Sequence, residues 1–202
     1  FQIRAMDLAG NSVTQNLNVQ VTNVTQVAQL RLETTDLSGN SISTVASGSE
    51  FFLNVHTKDL RTSPKGVFAA YVDVTYDPDL VSVANTTLVY GDEYENGKSG
   101  DATQAGLIDE GGAFAGFTQL GGAEYLVFSV RMKADDAGQV QFAGDPADGT
   151  GHQFLVFGSD TAVAWDAVTI TPAGLTITAG INAVDDLYNV DEDSTGTTLN
   201  VL

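Results

Sequence analysis

Cysteine is missing from this 202-residue chain, which excludes disulfides, thiolate nucleophiles and zinc–thiolate centres together. Its absence leaves the compartment open, because a chain with an adequate core can do without disulfides. Positive charge is scarce as well: eight Lys and Arg face 26 Asp and Glu, a formal net charge of −18. Such a field repels phosphate backbones and anionic lipid heads, so nucleic acid and membrane surfaces are poor partners, whereas cations such as calcium are attracted. No apolar run approaches the roughly 18 residues of a membrane-spanning helix, and no signal peptide opens the sequence. The start at Phe1 and the end at Asn200-Val201-Leu202 read as cuts through a longer protein.

Catalytic motifs are equally thin. The two histidines, His56 and His152, come with no Gly-x-Ser-x-Gly elbow and no His-Glu-x-x-His pair. His56 falls among alternating strand residues and reads as a satisfied structural histidine. Acidic pairs such as Asp109-Glu110 arise by chance among 26 acids, and a glycosidase needs a carboxylate separation that sequence does not supply. Gly111-Gly112 and Gly121-Gly122 lack the helix and lysine of a phosphate loop and read as turns. The expectation is a protein that is not an enzyme.

What the chain does have is alternation. With 43% apolar and 17% charged residues, short runs rich in Val, Thr, Phe and Ile alternate apolar with polar between Gly, Asn, Asp and Ser, the pattern of antiparallel strands joined by turns. Clear runs are 16–24, 50–57, 67–76, 125–132, 139–143 and 174–178, a spacing that predicts an all-β sandwich. Three blocks emerge. Residues 1–25 read as a closing hairpin, 26–180 as a complete domain, and 181–202 as the opening of another unit.

The run Gly66-Val67-Phe68-Ala69-Ala70-Tyr71-Val72-Asp73-Val74-Thr75-Tyr76-Asp77-Pro78-Asp79-Leu80 divides into two rows. Phe68, Ala70, Val72, Val74 and Tyr76 form the expected core face, and Val67, Ala69, Tyr71, Asp73 and Thr75 the opposite one. A one-residue slip would bury Asp73 and expose the apolar row, so the register is strongly specified. Pro78 between two Asp residues then turns the chain.

A glycine-led alternating strand, Tyr-Asp-Pro-x-Leu and a Val-x-Val strand resemble the pattern of cohesin domains, nine-stranded jelly-roll modules that bind dockerins. Ser47-Gly48-Ser49-Glu50 before Phe51-Phe52-Leu53-Asn54-Val55 looks like that family's opening strand. Leu126 to Ala134 followed by Asp136-Ala137-Gly138 looks like a later strand and turn. The resemblance covers about 150 residues and implies a jelly-roll β-sandwich of about nine strands. Phe114-Ala115-Gly116-Phe117 is similar to cohesin-like domains of large bacterial surface proteins. At the ends, Arg4-Ala5-Met6-Asp7 and the Val/Thr/Asn run after it resemble the close of a cadherin-like or bacterial Ig-like repeat. Residues 182–193 resemble the start of a further cadherin-like repeat.

In dockerin-binding cohesins the outward face of the central strand carries an Asn and an Asp before the Tyr-Asp-Pro turn; those positions here are Ala69 and Tyr71. The outward row Ala69, Tyr71, Asp73 and Thr75 is therefore the candidate partner surface. It suits a protein or a sugar ring stacked on Tyr71, while ordinary cross-strand packing is the other reading of that ring. Calcium is the one implied ion, at junctions between repeats: Asp7 at the first, and Asp185, Asp186, Asp191 and Asp193 at the second, where oxygen ligands are dense. Asp191-Glu192-Asp193-Ser194-Thr195-Gly196 follows the first half of an EF-hand loop, but Leu202 stands where the closing Glu belongs. The functional expectation is a non-catalytic binding module of a large secreted or cell-surface bacterial protein, mediating adhesion or assembly by protein or carbohydrate contact. The alternative is a dockerin-binding cohesin of a polysaccharide-degrading complex.

Overall fold

A computed structural model describes residues 2–16, 24–149 and 151–180. Strands β1 (Gln2–Met6) and β2 (Ser12–Asn16) pair as an antiparallel hairpin. Its turn is held by Asp7, whose Oδ1 accepts the Ala9 and Asn11 amides and whose Oδ2 accepts the Asn11 side-chain amide. The same wiring recurs at Asp36, which accepts from Ser38 and Asn40. The two turns share the sequence Asp-Leu-x-Gly-Asn-Ser, and in each the glycine takes a positive φ. The 16–24 strand lies largely outside the described residues, as does the whole of 181–202.

The remaining strands form a two-sheet sandwich. In chain order they are β3 (Ala28–Thr35), β4 (Thr44–Ala46), β5 (Glu50–Asp59), β6 (Val67–Thr75), β7 (Val81–Tyr90), β8 (Asn96–Asp101), β9 (Leu107–Phe114), β10 (Glu124–Ala134), β11 (Gly138–Pro146), β12 (Leu155–Val156), β13 (Val168–Thr171) and β14 (Ala173–Thr178). One sheet runs β13-β3-β5-β10-β7, and the other β4-β14-β11-β6-β9-β8, with β12 also on β6. Most pairings are antiparallel; β13 with β3 and β14 with β4 are parallel. Nine of the twelve strands have six or more residues, the number the resemblance implied, and the short β4, β12 and β13 are the additions. One 3-10 turn, Trp165–Ala167, precedes β13.

Alternation builds the core. Phe51, Leu53 and Val55 of β5 and Phe128, Val130 and Met132 of β10 point inward and meet Ala70, Val72 and Val74 of β6. Each large side chain fully withdrawn from water contributes roughly 1.5–3 kcal/mol. Phe142 packs edge-on against Phe51 at a centroid distance of 6.1 Å. Tyr94 is fully buried, and its hydroxyl bridges Thr57 Oγ1 and the Val67 carbonyl, each at 2.9 Å. The start of β6 departs from the expected rows: Val67 is buried in the core, while Phe68 is half-buried and packs against Phe114 and Phe157.

Two sequence expectations fail in instructive ways. Gly111-Gly112 is part of the central strand β9 and not a turn. A Cβ at Gly112 would stand 2.1 Å from the Ala70 carbonyl oxygen and one at Gly111 2.6 Å from the Phe128 ring, so close approach demands both glycines. His56 is not satisfied: its Nε2 is buried without a hydrogen bond, 3.4 Å from Glu33 Oε2. Burial first, and then the Arg31 charge, lower the His56 pKa, favouring the neutral ring.

Candidate functional site

The candidate surface is the outer face of the β11-β6-β9-β8 sheet. Ala69 pairs with Phe114 of β9 on one side and with Leu155 of β12 on the other, which puts β12 on the same edge of β6 as β11. Between Pro146, paired with Val72, and Leu155, the chain leaves that edge and returns. This excursion crosses the outer face of β6 to reach β9. There Glu110 receives it: Oε1 accepts the Asp148 amide at 2.8 Å and the Gly149 amide, and Oε2 meets His152 Nδ1. The His152 ring stacks on Tyr71 with centroids 4.4 Å apart and planes 12° from parallel.

This strap decides the fate of the expected partner row. Tyr71 is only 5% exposed and Ala69 is buried, so neither is an open contact in this conformation. Of the two readings of the Tyr71 ring, this conformation shows packing: the ring stacks on His152, and its hydroxyl donates to the Gly97 carbonyl at 2.6 Å. The adjacent Gly112 leaves room for the ring, since a side chain there would strike it. Thr75 remains exposed and Asp73 half-buried.

Opposite Asp73 the sheet bulges. The register of β6 with β9 shifts between Val72 and Val74, and Glu110, with φ of 54°, is the non-glycine residue with positive φ among those described. An αL residue of this kind is the signature of a bulge that re-aims side chains. The Glu110 amide donates to Asp73 Oδ1 at 2.7 Å. Burial, and then the charges of Asp109, Glu110 and Asp148, raise the Asp73 pKa against that hydrogen bond. At Glu110, burial opposes ionisation, but the His152 contact and the strap amides outweigh it and hold the carboxyl below its usual range.

Asp73, Glu110 and Asp148 are the group among the described residues whose ligand atoms all lie within 4.8 Å of one another. Asp73 and Glu110 are already engaged with backbone donors and His152, so the arrangement reads as the closure of the strap. Of the calcium candidates named from sequence, Asp7 spends its carboxylate on its own turn, and Asp185, Asp186, Asp191 and Asp193 lie outside the described residues.

Beyond the strap the face has two characters. One end is aromatic: Phe68 packs on Phe114 and Phe157, and the fully exposed Phe117 joins Phe68, Val156 and Phe157 in lining a shallow groove. The other end is acidic. The strands of this sheet carry Asp73, Asp101, Asp109, Glu110 and Asp145 against a single cation, Lys98. Asp73 faces Asp145, and Asp101 faces Asp109, directly across strands, placements that destabilise a sheet standing alone. The opposite sheet is balanced: Arg31, Lys58, Arg131 and Lys133 accompany four acids, with Arg31 bound by Glu124 and Glu33 and Arg131 by Glu50.

Asp59 anchors the entry to this surface. Its side chain, 0% exposed, accepts the Arg61, Lys65 and Gly66 amides and the Arg61 guanidinium, which also reaches the Phe157 carbonyl. Thus one buried carboxylate ties the start of β6 to the aromatic groove.

No family model matches the chain, and no curated protein matches it. Among solved structures the fold is that of cohesin modules. The third cohesin of ScaC from Acetivibrio cellulolyticus, solved with the ScaB dockerin, superposes with a TM-score of 0.52 at 15% identity over 74% of this chain and 98% of that one. The seventh ScaB type I cohesin of Pseudobacteroides cellulosolvens gives 0.52 at 12% identity over 81% and 99%. A non-cellulosomal cohesin of the archaeon Archaeoglobus fulgidus gives 0.50 at 10% over 75% and 91%. The all-β jelly-roll expectation is met: the domain has the fold of cohesin modules.

Glu110 and His152 were missed as a pair in the sequence. Their 42-residue separation hides the contact; the available signal was an acidic residue beside two strand glycines and a histidine flanked by loop glycines.

Proposed function

We propose that the chain is a non-catalytic protein-docking module that captures a dockerin-type partner on the outer face of the β11-β6-β9-β8 sheet, within a secreted or cell-surface assembly. The observation that carries this reading is the groove of Phe68, Val156 and Phe157 under the fully exposed Phe117, set beside an acidic sheet face. A protruding aromatic next to an unpartnered sheet has the composition of an interface anchor. The unneutralised acids favour a partner that brings Lys or Arg. Cohesins of this fold from Acetivibrio cellulolyticus and from Clostridium thermocellum were solved in complex with dockerins, which supports that partner class. The carbohydrate reading draws less support, because the ring meant to stack on sugar is covered. Adhesion through a neighbouring protein repeat remains the broader form of the same docking reading.

Calorimetric titration of the chain with a panel of dockerins tests this. Heat that is lost in Phe117→Ala, with an unchanged melting temperature, is the expected result. No heat from any dockerin with the folded protein would sink the docking reading.

A further inference from the structure

Resting on that docking reading, we infer that the excursion between β11 and β12, residues 147–149 and 151–153 among those described, is a strap that gates the docking face, held shut by the Glu110 carboxylate. The two amides and one imidazole that bind the excursion to the sheet all converge on Glu110. His152 also stacks on Tyr71. The strap sequence, Ala147-Asp148-Gly149-Thr150-Gly151-His152-Gln153, contains two glycines and no large aliphatic side chain. A segment fastened by few polar contacts and little apolar burial opens at a low free-energy cost compared with the sheet beneath it.

What opening exposes is specific. Tyr71 lies under His152, two residues along β6 from Ala69, which pairs with Phe114, so release of the strap extends the aromatic end of the face along β6 toward Asp73. A partner with an apolar anchor and basic side chains therefore finds a larger and better-matched surface on the open form. Such a closed resting state lowers apparent affinity in proportion to the fraction of molecules that are open.

The test uses the full chain with Glu110→Gly, which removes the carboxylate while relieving the positive φ, and with His152→Ala, which leaves the bulge untouched. Two readouts need no partner: hydrogen exchange of the Asp148 and Gly149 amides, and iodination of Tyr71 followed by peptide mass spectrometry. Glu110→Gly is expected to raise exchange at those amides by at least roughly tenfold and to render Tyr71 reactive, with β6 and β9 amides unchanged. The third readout is affinity for a dockerin that binds the wild-type chain, expected to tighten by about fivefold or more in Glu110→Gly and by less in His152→Ala. Exchange and iodination that stay at wild-type levels in both variants would overturn the latch. Release of the strap with unchanged or weaker dockerin affinity would overturn gating and leave docking standing. A dockerin panel that binds neither form would remove docking and the gate together.

Discussion

Acidification should remove a defined share of stability through Asp59. The carboxyl has no exposed side-chain surface, and burial alone would raise its pKa; the Arg61 guanidinium and the Arg61, Lys65 and Gly66 amides overcome burial and pull it down to about 2. Against an unfolded value near 3.9, a depression of that size corresponds to about 2.5 kcal/mol of folding free energy, most of it lost by pH 2.5. The sign follows from linkage: a group whose folded pKa is depressed contributes fully above its unfolded pKa, so the stabilisation is complete above about pH 4 and is lost as pH falls toward about 2. Asp59→Asn isolates this contribution, because every other carboxylate titrates equally in both proteins. The amide also turns one acceptor into a donor facing three backbone N–H groups and a guanidinium, which adds the cost of unsatisfied buried donors, roughly 1–3 kcal/mol. Urea titrations from pH 7 down to pH 2.5, followed by fluorescence of the chain's one tryptophan, Trp165, give the difference between the two proteins at each pH. That difference should be largest at neutral pH and shrink by about 2 kcal/mol as the wild-type carboxyl protonates. A difference that stays constant across the range would refute the depressed pKa, and with it the account of Asp59 as an ionised staple.

Other consequences are simpler to read. Gly112→Ala should lower the thermal midpoint sharply, because its Cβ would meet the Ala70 carbonyl oxygen at 2.1 Å; a loss below about 1 kcal/mol would mean that β6 and β9 can separate more easily than their close approach implies. Tyr94→Phe should cost about 1–2 kcal/mol by denaturant titration, since both partners of the buried hydroxyl lose their bond. Phe117→Ala should leave stability within about 0.5 kcal/mol, the usual range for an exposed position, which is what makes it a clean probe of docking.

Local rules carried much of the fold. Alternation in residues 67–76 and 50–57 defines the inward rows because a buried sheet face forces period two, and the structure places Ala70, Val72, Val74, Phe51, Leu53 and Val55 accordingly. The rules failed where a remote segment decides the environment. Period two separates two faces of a strand but does not say what covers the second one, so Tyr71 read as accessible until the strap was seen to cross it. Glycine punctuation failed at Gly111-Gly112 for a related reason: in β9 the glycines answer to the proximity of Ala70, Tyr71 and Phe128, which leaves no mark in the local sequence. The paired Asp-Leu-x-Gly-Asn-Ser turns are a local signal that the sequence reading passed over, and their shared hydrogen bonding follows from the reach of Asp to the amides two and four residues on.

The strap also gives physical sense to the departure from the cohesin pattern. An Asp at position 71 would be placed beneath His152 and an Asn at position 69 would be buried, and each buried group left without a partner there would cost about 1–3 kcal/mol. Ala69 presents nothing to satisfy. Tyr71 offers an apolar ring for His152 to stack on and a hydroxyl long enough to reach the Gly97 carbonyl beyond the strap's edge. Gly112 then supplies the space that the ring occupies. Ala69 and Tyr71 on β6, the strand glycine and the loop histidine are therefore one structural feature distributed over three segments. Changing Tyr71 to a polar residue should disturb the strap before it alters any partner contact.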